Sequence, residues 1–175
     1  MLSTKQRERL FLYLFDNSQK KININAIARE EKLSVGLVHK YVKILEGMGL
    51  IVDGWLVDNS ITRMLRVVRN HMKIQDADLV NRLRKLVPRA KGIGIYGSWS
   101  DGTNRSDSDI DIWINVNKDI DDLALSRMNK DMSNIMDSPV DILVATPERM
   151  KHLRENAESL YHSIYHSLLL WGEKP

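Results

Sequence analysis

The sequence contains no cysteine among its 175 residues, which excludes disulfide bonds and thiolate chemistry. A bound metal ion would therefore need oxygen or imidazole ligands. The sequence also lacks any apolar run approaching the roughly 18 residues of a membrane span, and its charged start lacks the apolar segment of a secretory signal. Because 43% hydrophobic and 28% charged residues are ordinary for globular proteins, we predict a soluble cytoplasmic protein without a membrane partner.

The small net charge of +3 conceals opposite balances in the two halves of the chain. Residues 1–90 contain 17 Lys and Arg against 9 Asp and Glu, whereas residues 91–175 contain 9 against 14. A basic half suits a polyanionic partner, and an acidic half needs cations before a phosphate group can approach it. The alternative is that both halves carry ordinary solvated surfaces.

The basic half begins with three segments of helical periodicity. Apolar residues recur at helical spacing over residues 4–17, and a second, shorter helix is predicted over residues 24–31. Ser34 is a candidate N-cap for a third helix, in which Val38 and Val42 share one face. Two short helices joined by a tight turn form the helix-turn-helix pattern.

The periodicity then changes to that of a β-hairpin. Two apolar triplets flank Asp53-Gly54, a dipeptide that supplies the positive φ angles of a type I′ turn. Three helices followed by this hairpin resemble a winged helix-turn-helix over residues 4–58. Such a module places its third helix in the DNA major groove and its wing against the DNA backbone.

The outward face of the third helix is the DNA-binding surface that this resemblance implies. Lysines there would meet phosphates or base edges of double-stranded DNA, and a histidine could donate a hydrogen bond. The alternative is a dimerisation or protein-docking module, and we also expect a homodimer because winged helices commonly work in pairs. The candidate DNA-binding residues are Ser34, Gly36, His39, Lys40 and Lys43.

Two aspartates share one face of a predicted strand in the acidic half. A short apolar strand, Gly92–Tyr96, runs into Gly97-Ser98, and the next strand is predicted over Asp109–Ile114. Because side chains alternate along a strand, Asp109 and Asp111 lie on one face and the isoleucines on the other. Neighbouring carboxylates repel each other, and a divalent cation such as Mg²⁺ relieves that repulsion.

A third aspartate lies in another apolar segment, Val140–Val144. An unpaired buried carboxylate is costly, so Asp141 is difficult to explain as part of a core. If its strand lies beside the preceding one, Asp141 joins Asp109 and Asp111 in a metal-binding triad. The alternative is that each aspartate is a solvated loop or edge residue.

Two further helices are predicted in this half. The first covers Asp76–Val87, and Pro88 ends it. Near the C-terminus, Leu160, Ile164 and Leu168 recur at helical spacing and predict a packing helix.

These motifs together resemble the nucleotidyltransferases of the DNA polymerase β superfamily. Gly97-Ser98 is followed, after ten intervening residues, by Asp109-Ile110-Asp111 and later by Asp141. The resemblance covers roughly residues 76–175. It is nearest to the minimal nucleotidyltransferases, a group that includes antitoxins of toxin–antitoxin pairs.

The resemblance implies a role for each motif. Gly97 and Ser98 would hold a triphosphate, because the backbone can approach it closely there. Asp109 and Asp111 would bind divalent ions, and Asp141 would help to bind one ion and act as a general base. The implied cofactor is Mg²⁺ or Mn²⁺, and the implied substrate is a nucleoside triphosphate, preferably ATP. The product is a nucleoside monophosphate joined to an acceptor.

One position departs from the family pattern. Many members have a basic residue where this sequence has Asp101, and an acid near a triphosphate is unfavourable unless it points away. Arg105 is a candidate to supply the missing positive charge, which makes it a further nucleotide-binding residue. The departure bears on catalytic competence more than on the fold.

The predicted organisation is therefore α+β. An N-terminal winged helix-turn-helix occupies residues 1–59, a basic connecting helix residues 60–75, and an α/β nucleotidyltransferase domain with a mixed sheet flanked by helices residues 76–175. Three functions remain open: a metal-dependent nucleotidyltransferase, a DNA-binding regulator that senses nucleotide, and an antitoxin that binds or adenylylates a partner toxin while repressing its promoter.

Overall fold

The computed structural model describes residues 4–175, which divide into two compact units between Arg69 and Asn70. The division falls inside one helix, so each unit contributes residues to it. Within the described range, no helix combines the length and the apolarity that a membrane crossing requires.

Three helices and a two-stranded hairpin make up the N-terminal unit. The predicted cap is confirmed, because Ser34 Oγ accepts a hydrogen bond from the Leu37 amide at 3.2 Å. Lys32, in the turn before it, adopts a φ of 51°, and this left-handed residue lets the chain reverse between two helices. The elements are α1 Thr4–Asp16, α2 Ile24–Glu30, α3 Val35–Gly47, β1 Ile51–Val52, β2 Trp55–Leu56 and the first part of α4 Ser60–Asp76.

The hairpin has the turn that its sequence predicts. Asp53 and Gly54 have φ angles of 52° and 80°, and a type I′ turn needs positive values at both positions. The amide of Ile22 donates a hydrogen bond to the Gly54 carbonyl at 2.8 Å, which ties the segment before α2 to the hairpin tip.

The apolar face of α3 supplies the core of this unit. Val38 and Val42 are buried, as their spacing predicts, and they pack in one cluster with Leu10, Ile27 and Ile51. The burial of one helix face against two other helices leaves the opposite face of α3 in solvent.

A four-stranded mixed sheet organises the C-terminal unit. Its strand order is β5-β4-β3-β6, in which β3 is antiparallel to both neighbours and β4 is parallel to β5. The α+β fold with helices flanking a mixed sheet is thus confirmed. Its elements after α4 are α5 Leu79–Leu86, β3 Gly92–Tyr96, α6 Ser98–Asp101, β4 Ile110–Asn115, α7 Asp122–Met136, β5 Val140–Ala145, α8 Pro147–Asn156, α9 Glu158–Tyr165 and β6 Leu168–Gly172.

The two faces of the sheet have separate cores. The isoleucines of β4 and alternate residues of β5 face the larger cluster, which also includes Leu83 of α5 and Met132 of α7. Trp113 and Leu143 face the other side and pack with Leu153 of α8 and Ile164 of α9. This alternation places the odd-numbered residues of β4 and β5 on the side covered by α8 and α9.

The C-terminal helix prediction is wrong beyond Tyr165. Leu168 begins β6, an edge strand that pairs with β3, instead of continuing the helix of Leu160 and Ile164. Leucine favours helices, but hydrogen bonding to the open side of β3 outweighs that local preference.

Gly94 leaves room for the Trp113 ring beside β3. A Cβ atom at this position would come within 2.3 Å of the indole ring and 2.6 Å of the Leu168 carbonyl oxygen. We expect Gly94→Ala to lower the free energy of unfolding by at least about 1–3 kcal/mol, because overpacking displaces side chains and backbone. Urea unfolding followed by tryptophan fluorescence would measure the change. In the N-terminal unit, a Cβ on Gly47 meets nothing within 4 Å, so Gly47→Ala should leave this transition in place.

Candidate active site

Two aspartates meet where the parallel strands β4 and β5 begin. Asp111 and Asp141 are register partners across these strands, and neighbouring strands lie about 4.8 Å apart. Asp111 is half-buried and Asp141 is exposed. Asp109 is the residue immediately before β4, and its side chain is exposed.

The environment of Asp111 opposes its negative charge. Burial raises the pKa of its carboxyl group, and the charges of Asp141 and Asp109 raise the pKa further. The charges of both other aspartates therefore act on Asp111 at one end of the sheet. A cation at this place would remove an unfavourable interaction that is already present in the folded protein.

The three carboxylates are neighbours, but they are not assembled as a closed metal site. The sequence predicted that they converge within metal-bridging distance, yet across residues 4–175 no three His, Asp or Glu side chains are grouped closely enough to hold an ion. Asp109 precedes the first residue of β4, so the strand register holds only Asp111 and Asp141 side by side. The donor set still fits, because Mg²⁺ takes oxygen ligands and commonly only one or two protein carboxylates.

Gly97 brings the backbone against the Asp111 carboxylate. Its φ and ψ angles of 64° and −154° belong to a region that is essentially restricted to glycine. A Cβ atom built here would lie 2.3 Å from Asp111 Oδ2. Glycine is thus needed both for the turn after β3 and for the space in front of this carboxylate.

Backbone hydrogen bonds fix the loop after Gly97. The Ser98 carbonyl oxygen accepts hydrogen bonds from the amides of Gly102, Thr103 and Asn104, at 3.0 to 3.2 Å. Asn70 on α4 holds the same loop, because its side-chain amide donates to the Trp99 carbonyl and to Asn104 Oδ1, both at 2.9 Å. Sequence patterns gave no signal for Asn70, whose partners are distant in the chain.

Asp101 takes part in the loop's own structure. Its Oδ1 accepts hydrogen bonds from the Thr103 amide at 2.9 Å and from the Thr103 hydroxyl at 2.6 Å. Arg105 is exposed, and its backbone amide donates to Ser108 Oγ at 2.8 Å. The acid that departs from the family pattern is thus engaged by a neighbouring threonine, and the side chain of Arg105 faces solvent.

Two residues near the carboxylates were missed at the level of sequence. Tyr96 is the register partner of Asp111 on β3, and burial raises the pKa of its phenol well above the usual range, with Asp111 and Asp141 adding to the shift. The side chain of Asn129 on α7 accepts a hydrogen bond from the Ile142 amide at 3.1 Å and donates one to Asp141 Oδ1 at 3.5 Å. Neither has a recognisable motif, because each depends on packing between distant segments.

The outward face of α3 is the second candidate surface. The candidate residues are all exposed, and they include the capping residue Ser34. Lys43 Nζ lies 2.7 Å from Glu46 Oε2, so Glu46 partly neutralises the positive charge of Lys43 within the helix. The exposed candidates on this face are Ser34, Gly36, His39, Lys40 and Lys43.

We expect Asp111→Asn to raise the melting temperature at neutral pH, by on the order of a few degrees. A carboxyl group with a raised pKa in the folded state makes folding less favourable as the pH rises through that pKa, and the amide removes this charge. Thermal unfolding in the presence of EDTA would measure the difference, which should shrink as the medium becomes acidic.

The matched control for this prediction is Asp107→Asn. Asp107 is exposed in the preceding loop, so the same chemical change should leave the melting temperature in place. Equal effects of both substitutions, or a lower melting temperature for Asp111→Asn, would contradict the inference that the negative charge of Asp111 destabilises the folded protein.

Comparison with known proteins identifies a relative of part of the chain. The protein adenylyltransferase MntA of Shewanella oneidensis is 28% identical over 71 residues, which are 41% of this chain and 51% of the relative. The chain therefore matches about half the length of that relative.

Solved structures give similar matches. A toxin–antitoxin complex with AMP-PNP shares 28% identity, with coverage of 59% of this chain and 74% of that chain and a TM-score of 0.44. A tri-AMPylated Shewanella oneidensis HEPN toxin in complex with MNT antitoxin shares 24% identity, with coverage of 61% and 73% and a TM-score of 0.40.

The family match includes the whole carboxylate region. The nucleotidyltransferase domain family matches residues 77–165, half of the chain, and this range holds Gly97 and all three aspartates. The protein belongs to the nucleotidyltransferase domain family.

Proposed function

We propose that this protein is a metal-dependent nucleotidyltransferase, which transfers a nucleoside monophosphate from a nucleoside triphosphate, preferably ATP, to a hydroxyl acceptor. The observation that carries the proposal is the pairing of Asp111 with Asp141 beside the Gly97 turn. A raised pKa at Asp111 supports it, because catalytic carboxylates that await a cation are held in unfavourable electrostatic surroundings.

Each residue of the site has a distinct task in this proposal. Asp109, Asp111 and Asp141 hold Mg²⁺ or Mn²⁺, which would supply Lewis-acid activation of the reacting oxygens when bound. The backbone of Gly97 and Ser98 holds the triphosphate, since glycine leaves room for a close approach. Asp141 accepts the proton of the acceptor hydroxyl, for which its exposed carboxylate is accessible.

Asp101 is compatible with a bound triphosphate. Its carboxylate accepts two hydrogen bonds from Thr103, and these partners offset part of its charge. Arg105 supplies a cation from the same loop, and its exposed side chain is free to reorient towards phosphate oxygens.

The acceptor that we favour is a side-chain hydroxyl of a partner toxin. MntA is a protein adenylyltransferase, and a related antitoxin is seen with an AMPylated HEPN toxin. The present chain would accordingly act as an antitoxin that modifies its partner.

DNA binding by a winged helix over residues 1–59 is the second function that we propose. The order of three helices and a hairpin supports it, as does the exposed face of α3 with Lys40 and Lys43. In this scheme residues 60–75 connect the winged helix to the nucleotidyltransferase domain of residues 76–175. Such a protein could repress its own promoter and modify its toxin.

The transferase proposal is tested with ATP labelled in the α-phosphate and a co-expressed partner toxin. We expect Mg²⁺-dependent labelling of the toxin with release of pyrophosphate. The rate should fall at least about 100-fold in Asp109→Asn/Asp111→Asn, because loss of even outer partners of a metal ligand costs up to about 100-fold.

The control is again Asp107→Asn, which removes a carboxylate from the adjoining loop and should retain the activity. Calorimetry separates the alternatives. Binding of Mg²⁺–ATP without any transfer would favour a nucleotide-sensing regulator, and the absence of binding in the unaltered protein would contradict the transferase.

The DNA proposal is tested by fluorescence anisotropy with a double-stranded oligonucleotide from the region upstream of the gene. We expect Lys40→Ala to weaken binding and to reduce the salt slope of the affinity by about 1, as loss of one phosphate contact does. Lys5→Ala removes an exposed lysine from α1 and serves as the comparison. Equal weakening by both changes would indicate non-specific attraction.

A further inference from the structure

Two cavities adjoin each other at the end of the sheet opposite to the carboxylates. The first, of about 480 Å³, is lined by the segment that leads into β3, with Val87 and Ala90 among its walls. The second, of about 380 Å³, extends towards α4 and has Val80 and Leu170 on its sides. Because Gly97 follows the other end of β3, the length of a strand separates these cavities from the catalytic aspartates.

Arg84 and Trp171 form the wall that both cavities share. The guanidinium carbon of Arg84 lies 4.2 Å from the centre of the Trp171 ring, which is a cation–π contact. Arg84 Nη1 also donates a hydrogen bond to Asn81 Oδ1 at 3.5 Å, and the other N–H groups of the guanidinium group are donors for an anion. Trp171 is itself half-buried against the core, so the wall has a firm support.

The chain segment that carries this wall is positively charged. Residues 79–100 contain five Lys and Arg and no Asp or Glu. Arg82 and Arg89 donate to backbone carbonyls, whereas neither Arg84 nor Lys85 lies within ion-pair distance of a carboxylate in the described part of the chain. Asp78 also lines the cavity, and its carboxylate accepts a hydrogen bond from Asn81 at 2.6 Å.

We propose that these cavities form a second phosphate-binding site, which takes a nucleotide unit without a divalent metal ion. Arg84 and Lys85 bind the phosphate, and the base enters the adjoining cavity between Val80 and Leu170. The volumes fit, because small-molecule sites commonly have about 300–1,000 Å³. The phosphate belongs either to a free nucleotide or to a single-stranded nucleic acid, which share this chemistry.

The site would be independent of the transferase centre. Its cations bind phosphate directly, and its distance from the aspartates keeps it outside the reaction. A nucleotide or an RNA strand held there could anchor a partner or report its presence, while Gly97 and the aspartates remain open.

The test uses the full chain with Asp109→Asn/Asp111→Asn, in EDTA, so that the catalytic site cannot contribute. Calorimetric titrations would use AMP, a ten-nucleotide poly(A) RNA and inorganic phosphate as separate probes. We expect AMP or the RNA to bind, and Arg84→Ala/Lys85→Ala to weaken that binding at least about tenfold.

The matched control removes two exposed cations elsewhere, with Arg127→Ala/Lys130→Ala on α7. Arg84→Lys retains the charge but loses the planar guanidinium group, so an intermediate affinity is expected while the fold is preserved. Binding of AMP would identify a free nucleotide, and binding of the RNA alone would identify a nucleic acid. Equal weakening by the control, or no binding of any probe, would overturn the proposal.

Discussion

The register between the parallel strands β4 and β5 is the constraint on which the candidate site depends. Asp111 and Asp141 lie side by side on one face of the sheet. Their register is fixed by the residues of β4 and β5 that are buried on the opposite face. A shift of one strand by a single residue would turn its aspartate into the hydrophobic core. The apolar packing under the sheet therefore holds in place an arrangement of charges that electrostatics alone would push apart.

The residues around this pair of aspartates keep the two carboxylates and the adjoining loop in position. Gly97 gives the Asp111 carboxylate its space, Asn129 contacts Asp141, and Asn70 holds the loop between Gly97 and β4. The stability of the unit comes from its two apolar clusters, whereas the site is the region where stability is reduced. Such a division is common in enzymes, because a site preorganised for a ligand is strained without it.

Patterns that depend on near neighbours were predictable from the sequence. The Ser34 cap, the Asp53-Gly54 turn and the alternation in β4 each follow from a few adjacent residues, and the structure agrees with them. Features that depend on distant pairing were not predictable. The strand at Leu168–Gly172 carries a leucine run that is typical of a helix, and its identity is decided by the open side of β3. Likewise, Tyr96 lies near the aspartates only because β3 pairs with β4, and Asn129 lies near them only because α7 packs against β5.

The edge strand β6 lies outside the family match, although it completes the sheet. The family match ends at residue 165, before β6, and begins after Asn70 and Ile74. A fragment trimmed to that match would expose the backbone groups of β3 that β6 now pairs, and unpaired strand edges recruit other chains. It would also lose the side chain that binds the Trp99 carbonyl. The aspartate motif can be delimited by resemblance, but the longer segment is needed to close the sheet.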